Sequence, residues 1–147
     1  MEYQEWKQKY YTGNESYFKK YYEKFREENT RHCIYFIVTE ELKVKYCGST
    51  DNMYAREISH MNGFSSVELT EEKWNANKLD HFEVAWCDGV TKQERLYMEY
   101  YLIEKYSDND LLNEYEPYKV KFKDIEELKK CELEEMAEAL VFNIYKR

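Results

Sequence analysis

Apolar and polar positions along the chain change period several times, and each change marks an element. Residues 1–30 place aromatics at helical spacing, Tyr3, Trp6 and Tyr10, then Tyr17 or Phe18, Tyr21 or Tyr22, and Phe25, with Thr12-Gly13-Asn14 between the two groups. Positions three to four apart share a helix face, so two short helices are expected, their aromatic stripe suited to core or interface packing. From His32 to Thr39 the chain turns to β-branched and aromatic residues, and Val44 to Gly48 repeats that character after a short polar turn. This predicts an antiparallel hairpin. Side chains alternate across a strand, which turns Ile34, Phe36 and Val38 one way and Cys33, Tyr35 and Ile37 the other.

Thr50 or Asp51 can offer a side-chain oxygen to free backbone amides and cap a helix running to about His60. Arg56 and His60, four apart, then share a face. Residues 61–80 are polar and irregular, with room for a turn of helix near Glu71 to Asn75, and a loop of that length on a small domain is often functional. His81 to Cys87 reads as a third strand ending at Asp88-Gly89, and Thr91 caps a helix to about Tyr106. A polar break at Asp108, Asn109 and Asp110 leads to Leu111-Leu112-Asn113. The one proline, Pro117, marks a connection to a last helix from about Asp124 to Tyr145, with a stripe of Ile125, Leu128, Met136, Ala137, Leu140, Val141 and Ile144. There is no internal repeat, low-complexity linker or long heptad run. The sum is a single α+β domain, residues 1–147: a small three-stranded antiparallel sheet flanked by helices, with a core at 32–113, an aromatic helical arm at 1–31 and a terminal helix at 114–147.

The length of 147 residues and a 43% hydrophobic content suit one core. No apolar run reaches the roughly 18 residues that span a bilayer, and the polar amino end (Glu2, Gln4, Glu5, Lys7) is unlike a signal peptide. A soluble, cytoplasmic protein with no membrane partner is the expectation. Cys33, Cys47, Cys87 and Cys131 are widely spaced, without the paired spacing of a zinc knuckle, and are read as buried free thiols. The net charge of −8 is unequally spread: seven basic against six acidic residues in 1–31, eight against fifteen in 32–113, and seven against nine in 114–147. Since basic side chains supply most non-specific affinity for nucleic acid, an acidic core asks for a clustered basic face, a partner that brings the substrate, or a substrate other than bulk duplex. The sixteen tyrosines could stack on bases, but an AT-rich coding sequence explains them more simply.

Glu99 stands out on chemical grounds. Leu96, Leu102, Ile103 and Tyr106 lie three, four or seven positions away and set it beside the helix's apolar stripe, where a carboxylate is costly unless paired or ligated. Glu94 and Glu104 read as solvated neighbours.

The ordered set Cys33-Ile34-Tyr35, Tyr46-Cys47-Gly48-Ser49-Thr50, Arg56, His60, Glu99 and Leu112-Asn113 resembles the GIY-YIG nuclease family over roughly residues 32–113. The resemblance implies a divalent-metal-dependent endonuclease, with Glu99 holding a single Mg²⁺ or Mn²⁺ ion. It further implies Arg56 on the scissile phosphate, Tyr35, Tyr46 and His60 handling the water and its protons, and Asn113 bracing the site. Gly48 would allow close approach of backbone and substrate, with Ser49 beside it on the substrate side. Cys33 and Cys47 depart from the family signature, and Ser49 stands where some members carry lysine. Nucleic acid is the implied partner, DNA ahead of RNA, with products ending in a 5′-phosphate and a 3′-hydroxyl. No separate target-reading module is evident, which suits a small stand-alone nuclease of the kind carried by phages, mobile elements or defence systems. The amino-terminal arm is a candidate for homodimerisation, since duplex cutting needs two strand cleavages. The alternative is a non-catalytic protein-binding module, an inhibitor or assembly subunit that keeps the fold.

Overall fold

The computed structural model describes residues 31–61, 69–113 and 122–145. The two helices expected in the amino-terminal arm, and the dimer contact assigned to it, lie outside the described residues, as does Pro117. Strands β1 (Cys33–Thr39) and β2 (Val44–Thr50) are followed by helices α1 (Met53–Met61) and α2 (Glu71–Ala76), strand β3 (Leu79–Trp86) and helix α3 (Lys92–Lys105). A 3₁₀ turn (Ser107–Asn109) follows, and helix α4 (Glu127–Ala139) and a short strand β4 (Asn143–Ile144) complete the order. The sheet is antiparallel throughout, in the order β2-β1-β3-β4.

The hairpin forms where the pattern places it, with Leu42 taking a left-handed φ of 65° in the turn. Alternation then sorts the side chains onto two faces. Cys33, Tyr35 and Ile37 pack with Tyr46, Phe82 and Val84 under Met53, Met61 and Trp74 of α1 and α2. Ile34, Phe36 and Val38 pack with Cys47 against Met98 and Leu102 of α3 and Leu133 and Ala137 of α4. β1 is central, and its residues from Cys33 to Val38 are buried on both faces, as suits a strand covered on both sides.

The helix caps have specific chemistry. α1 is capped by Asn52, whose Oδ1 accepts from Ala55 N at 3.1 Å. That corrects the expected cap at Thr50 or Asp51; Thr50 Oγ1 instead accepts from Asn52 N and holds the capping residue. α3 begins in a capping box, Thr91 Oγ1 accepting from Glu94 N while Glu94 Oε1 accepts from Thr91 N. Glu94 is thereby a capping residue whose side chain is 18% exposed, and not the solvated neighbour expected.

Two expectations need correcting at the carboxyl end. The sheet has four strands instead of three, because the terminal helix stops at Ala139 with Leu140 extended. Asn143–Ile144 then pairs with β3, reinforced by Tyr145 N donating to Phe82 O at 2.8 Å. Of the expected stripe, Leu128, Met136, Val141 and Ile144 are exposed, whereas Ala137 is buried as expected, Ile125 and Leu140 pack partly against the core, and Leu133 is the further buried residue of α4. Cys33, Cys47 and Cys87 are buried free thiols as expected, whereas Cys131 is exposed. Among the described residues no helix is long and apolar enough to cross a membrane.

Candidate active site

Tyr35 and Tyr46 come from neighbouring strands and project from the same face of the sheet, their ring centroids 5.9 Å apart. Opposite Tyr35 on β2 stands Gly48. A Cβ built on Gly48 would lie 2.4 Å from the Tyr35 hydroxyl and 2.5 Å from Cζ, so the glycine provides the space that the tyrosine ring occupies. The close approach expected of Gly48 is therefore made by a side chain of the protein's own sheet.

His60, in the last turn of α1, is fully buried beneath these rings. Its Nε2 is 2.6 Å from the Tyr35 hydroxyl, and its ring meets that of Tyr46 nearly edge-on at 5.0 Å. Burial pushes the Tyr35 phenol well above its ordinary value, reinforced by Tyr46 and Glu99 and opposed by the Arg56 guanidinium. Burial and the Glu99 charge likewise push Tyr46 up to about 12, while the neighbouring Tyr35 hydroxyl and the charge of Arg56 pull it down. Both phenols are thus neutral at physiological pH, and each sits in the fields of Arg56 and Glu99. Arg56 itself, on α1, is half-buried.

Glu99 reaches the site from α3, on the opposite face of the sheet from His60. Only 7% of it is exposed, and its Oε2 accepts from Ser49 Oγ at 2.9 Å. Ser49 and Ile34 are partners across the hairpin, so Ser49 belongs to the α3 face and its hydroxyl is engaged within the domain. Arg95, one helical turn before Glu99, donates from Nε to that hydroxyl at 3.2 Å, and its Nη1 lies 2.8 Å from His32 Nδ1. Neither Arg95 nor His32, which the sequence pattern places at a strand start with no functional role, is among the expected site residues. The available signal was the four-residue spacing of Arg95 and Glu99, which sets a cation on the same helix face as the buried carboxylate.

Asn113 spans the outer edge of β2. Its Oδ1 accepts from Cys47 N at 3.1 Å and its Nδ2 donates to Cys47 O at 2.8 Å, while Leu112 N donates to Lys45 O at 2.7 Å. One side-chain amide thereby satisfies both backbone groups of the residue between Tyr46 and Gly48, and closes a sheet edge that would otherwise be open. Lys45 adds to this clamp by donating from Nζ to the carbonyls of Asn109 and Asp110.

The donor set for a metal is narrow. Among the described residues no three His, Cys, Asp or Glu side chains gather into a cage. A single buried carboxylate, Glu99, fits a hard cation of the Mg²⁺ type, which takes few protein ligands and keeps several waters.

A hairpin with one tyrosine on each strand, a helix carrying Arg56 and His60, and a second helix presenting one buried carboxylate define an α+β domain of nuclease type. The chain matches the GIY-YIG catalytic domain over residues 31–116 and belongs to the GIY-YIG family. That span contains every site residue named above. No curated protein and no solved structure gives a significant match.

Proposed function

We propose that this protein is a divalent-metal-dependent endonuclease that hydrolyses phosphodiester bonds, with DNA as its substrate class. The observation that carries the reading is the Tyr35–His60 contact of 2.6 Å between buried groups, with the charges of Arg56 and Glu99 both acting on the Tyr35 phenol. A phenol pushed upward by burial is not a standing phenolate, so Tyr35 serves as a relay. As water attacks phosphorus, its proton passes to the Tyr35 oxygen while the Tyr35 proton passes to His60 Nε2. The imidazole is a suitable sink near neutral pH. This direction requires the tautomer of His60 with its proton on Nδ1.

Arg56 offers a planar fork of donors to the non-bridging phosphate oxygens, whose charge grows in the transition state. Tyr46 hydrogen-bonds the phosphate or the water from the neighbouring strand. Glu99 would hold one Mg²⁺ or Mn²⁺, which when bound supplies charge stabilisation at phosphorus and at the departing oxygen. The new P–O bond forms from water, the bond to the 3′-oxygen breaks, and that oxygen takes up a proton. The products carry a 5′-phosphate and a 3′-hydroxyl. Asn113 and Gly48 fix β2 and the Tyr35 ring, and are positioning residues.

The excess of acidic over basic residues in 32–113 favours one rival, a protein-binding module that keeps the fold without cutting. Purified protein incubated at low salt with supercoiled plasmid, single-stranded DNA and single-stranded RNA, with Mn²⁺ or Mg²⁺ against EDTA, separates the two. Metal-dependent cutting of DNA supports the proposal and cutting of RNA alone changes its substrate. Cutting of none favours the binding module.

A further inference from the structure

We propose that Arg95 is a positioning residue for the Glu99 carboxylate, acting through the hydroxyl of Ser49. The inference rests on the reading of Glu99 as the metal-holding group. Arg95 is only 6% exposed, and a guanidinium so far from water is costly unless its donors are engaged. Two partners lie within reach: Ser49 Oγ at 3.2 Å from Nε and His32 Nδ1 at 2.8 Å from Nη1.

The direction of the chain follows from the donor inventory. Arginine can only donate, so Ser49 Oγ must accept from Nε. A serine hydroxyl has one proton to give, and the carboxylate oxygen Glu99 Oε2 lies 2.9 Å away as its acceptor. Arg95 therefore orients Ser49, and Ser49 fixes one oxygen of Glu99. Arg95 and Glu99 lie on the same helix, whereas Ser49 belongs to β2, so the relay ties the carboxylate to the strand that carries Tyr46 and Gly48. His32 holds the far side of the guanidinium. A carboxylate locked in this way presents a pre-set ligand to a cation, and loss of such a supporting contact weakens metal binding even when the ligand itself remains.

The test compares wild type with Ser49→Ala, Arg95→Lys and Glu99→Gln. Each ¹⁵N-labelled protein is titrated with Mn²⁺ alone, and paramagnetic broadening of backbone amide signals gives the half-saturating concentration. Plasmid cleavage is measured across the same Mn²⁺ range. The relay predicts a half-point raised about tenfold in Ser49→Ala and Arg95→Lys, in line with the loss of a supporting contact. Cleavage at saturating Mn²⁺ should recover to near the wild-type rate. A general loss of structure would lower the saturated rate and would not be rescued by metal.

Wild-type half-points in both variants, with broadening lost in Glu99→Gln, overturn the relay and leave the metal assignment standing. Broadening retained in Glu99→Gln, or absent from wild type, overturns the metal assignment and the relay with it. Should Arg95→Lys fail to fold, Ser49→Ala decides alone, because it removes one small hydroxyl.

Discussion

The hydroxyl of Tyr35 lies 2.6 Å from Nε2 of His60, and both residues are buried from solvent. A short contact between two titratable groups inside the domain gives the tyrosine a defined proton partner, which an isolated phenol of ordinary acidity lacks. Tyr35→Phe removes the relay and keeps the ring. It should slow single-turnover cleavage by about 10²–10⁴-fold, the usual contribution of a positioned proton-transfer group. Leaving His60 Nε2 buried without that partner should also cost about 1–3 kcal/mol, measurable by urea denaturation.

Gly48 faces the same tyrosine. In Gly48→Ala the new Cβ would meet the Tyr35 hydroxyl at 2.4 Å, and because the obstacle is a buried ring, either the Tyr35 side chain or one of the two strands must shift. The expected loss is about 1–3 kcal/mol, typical of overpacking, with cleavage reduced as Tyr35 leaves its bond to His60. Thermal melting together with the plasmid assay reads both effects.

Asn113 makes its two bonds to a single residue, Cys47. Asn113→Asp keeps an acceptor for Cys47 N and loses the donor to Cys47 O, so it separates the halves of the clamp. Asn113→Ala should destabilise by about 1–3 kcal/mol through unsatisfied backbone groups, and Asn113→Asp by a similar amount with a carboxylate now facing a carbonyl. Both should lower the rate of cleavage without altering the Mn²⁺ half-point, since neither touches Glu99.

Alkaline pH offers a check on burial. Burial raises Cys87 from 9.0 to about 11, raises Cys33, with help from Cys87, from 9.0 to about 12, and raises Tyr46, with help from Glu99, from 10.0 to about 12. Each group binds its proton more tightly when folded. Their contribution to stability is therefore fully present below about pH 9 and is lost as pH climbs towards about 12. Urea midpoints should be flat up to about pH 9 and fall steadily above it. A midpoint unchanged at pH 11 would contradict the burial of these groups.

How much of this was legible in the sequence depends on how far apart the interacting residues lie along the chain. The hairpin, its two faces and the helix after Thr91 follow from local period and capping chemistry, and the site residues fall within short ordered motifs. The end of α4 was not legible, because Leu140, Val141 and Ile144 continue a helical spacing. Pairing of Asn143–Ile144 with β3 decides the outcome, and that partner lies some sixty positions away. Arg95 escaped notice for the same reason. Nothing local distinguishes it from a surface arginine, and its partners Ser49 and His32 precede it by 46 and 63 residues. The role of Gly48 was visible as a need for space, but the identity of the group filling it requires the cross-strand register.

The central claim is that one carboxylate, Glu99, makes phosphodiester cleavage depend on a divalent ion. The most direct measurement is single-turnover cleavage of plasmid by wild type and Glu99→Gln in Mn²⁺, Mg²⁺ and EDTA, with circular dichroism confirming that both proteins fold alike. The account predicts cutting by wild type in metal only, and none by Glu99→Gln under any condition. Cleavage by a folded Glu99→Gln protein at the wild-type rate, or cleavage by wild type undiminished in EDTA, would contradict it.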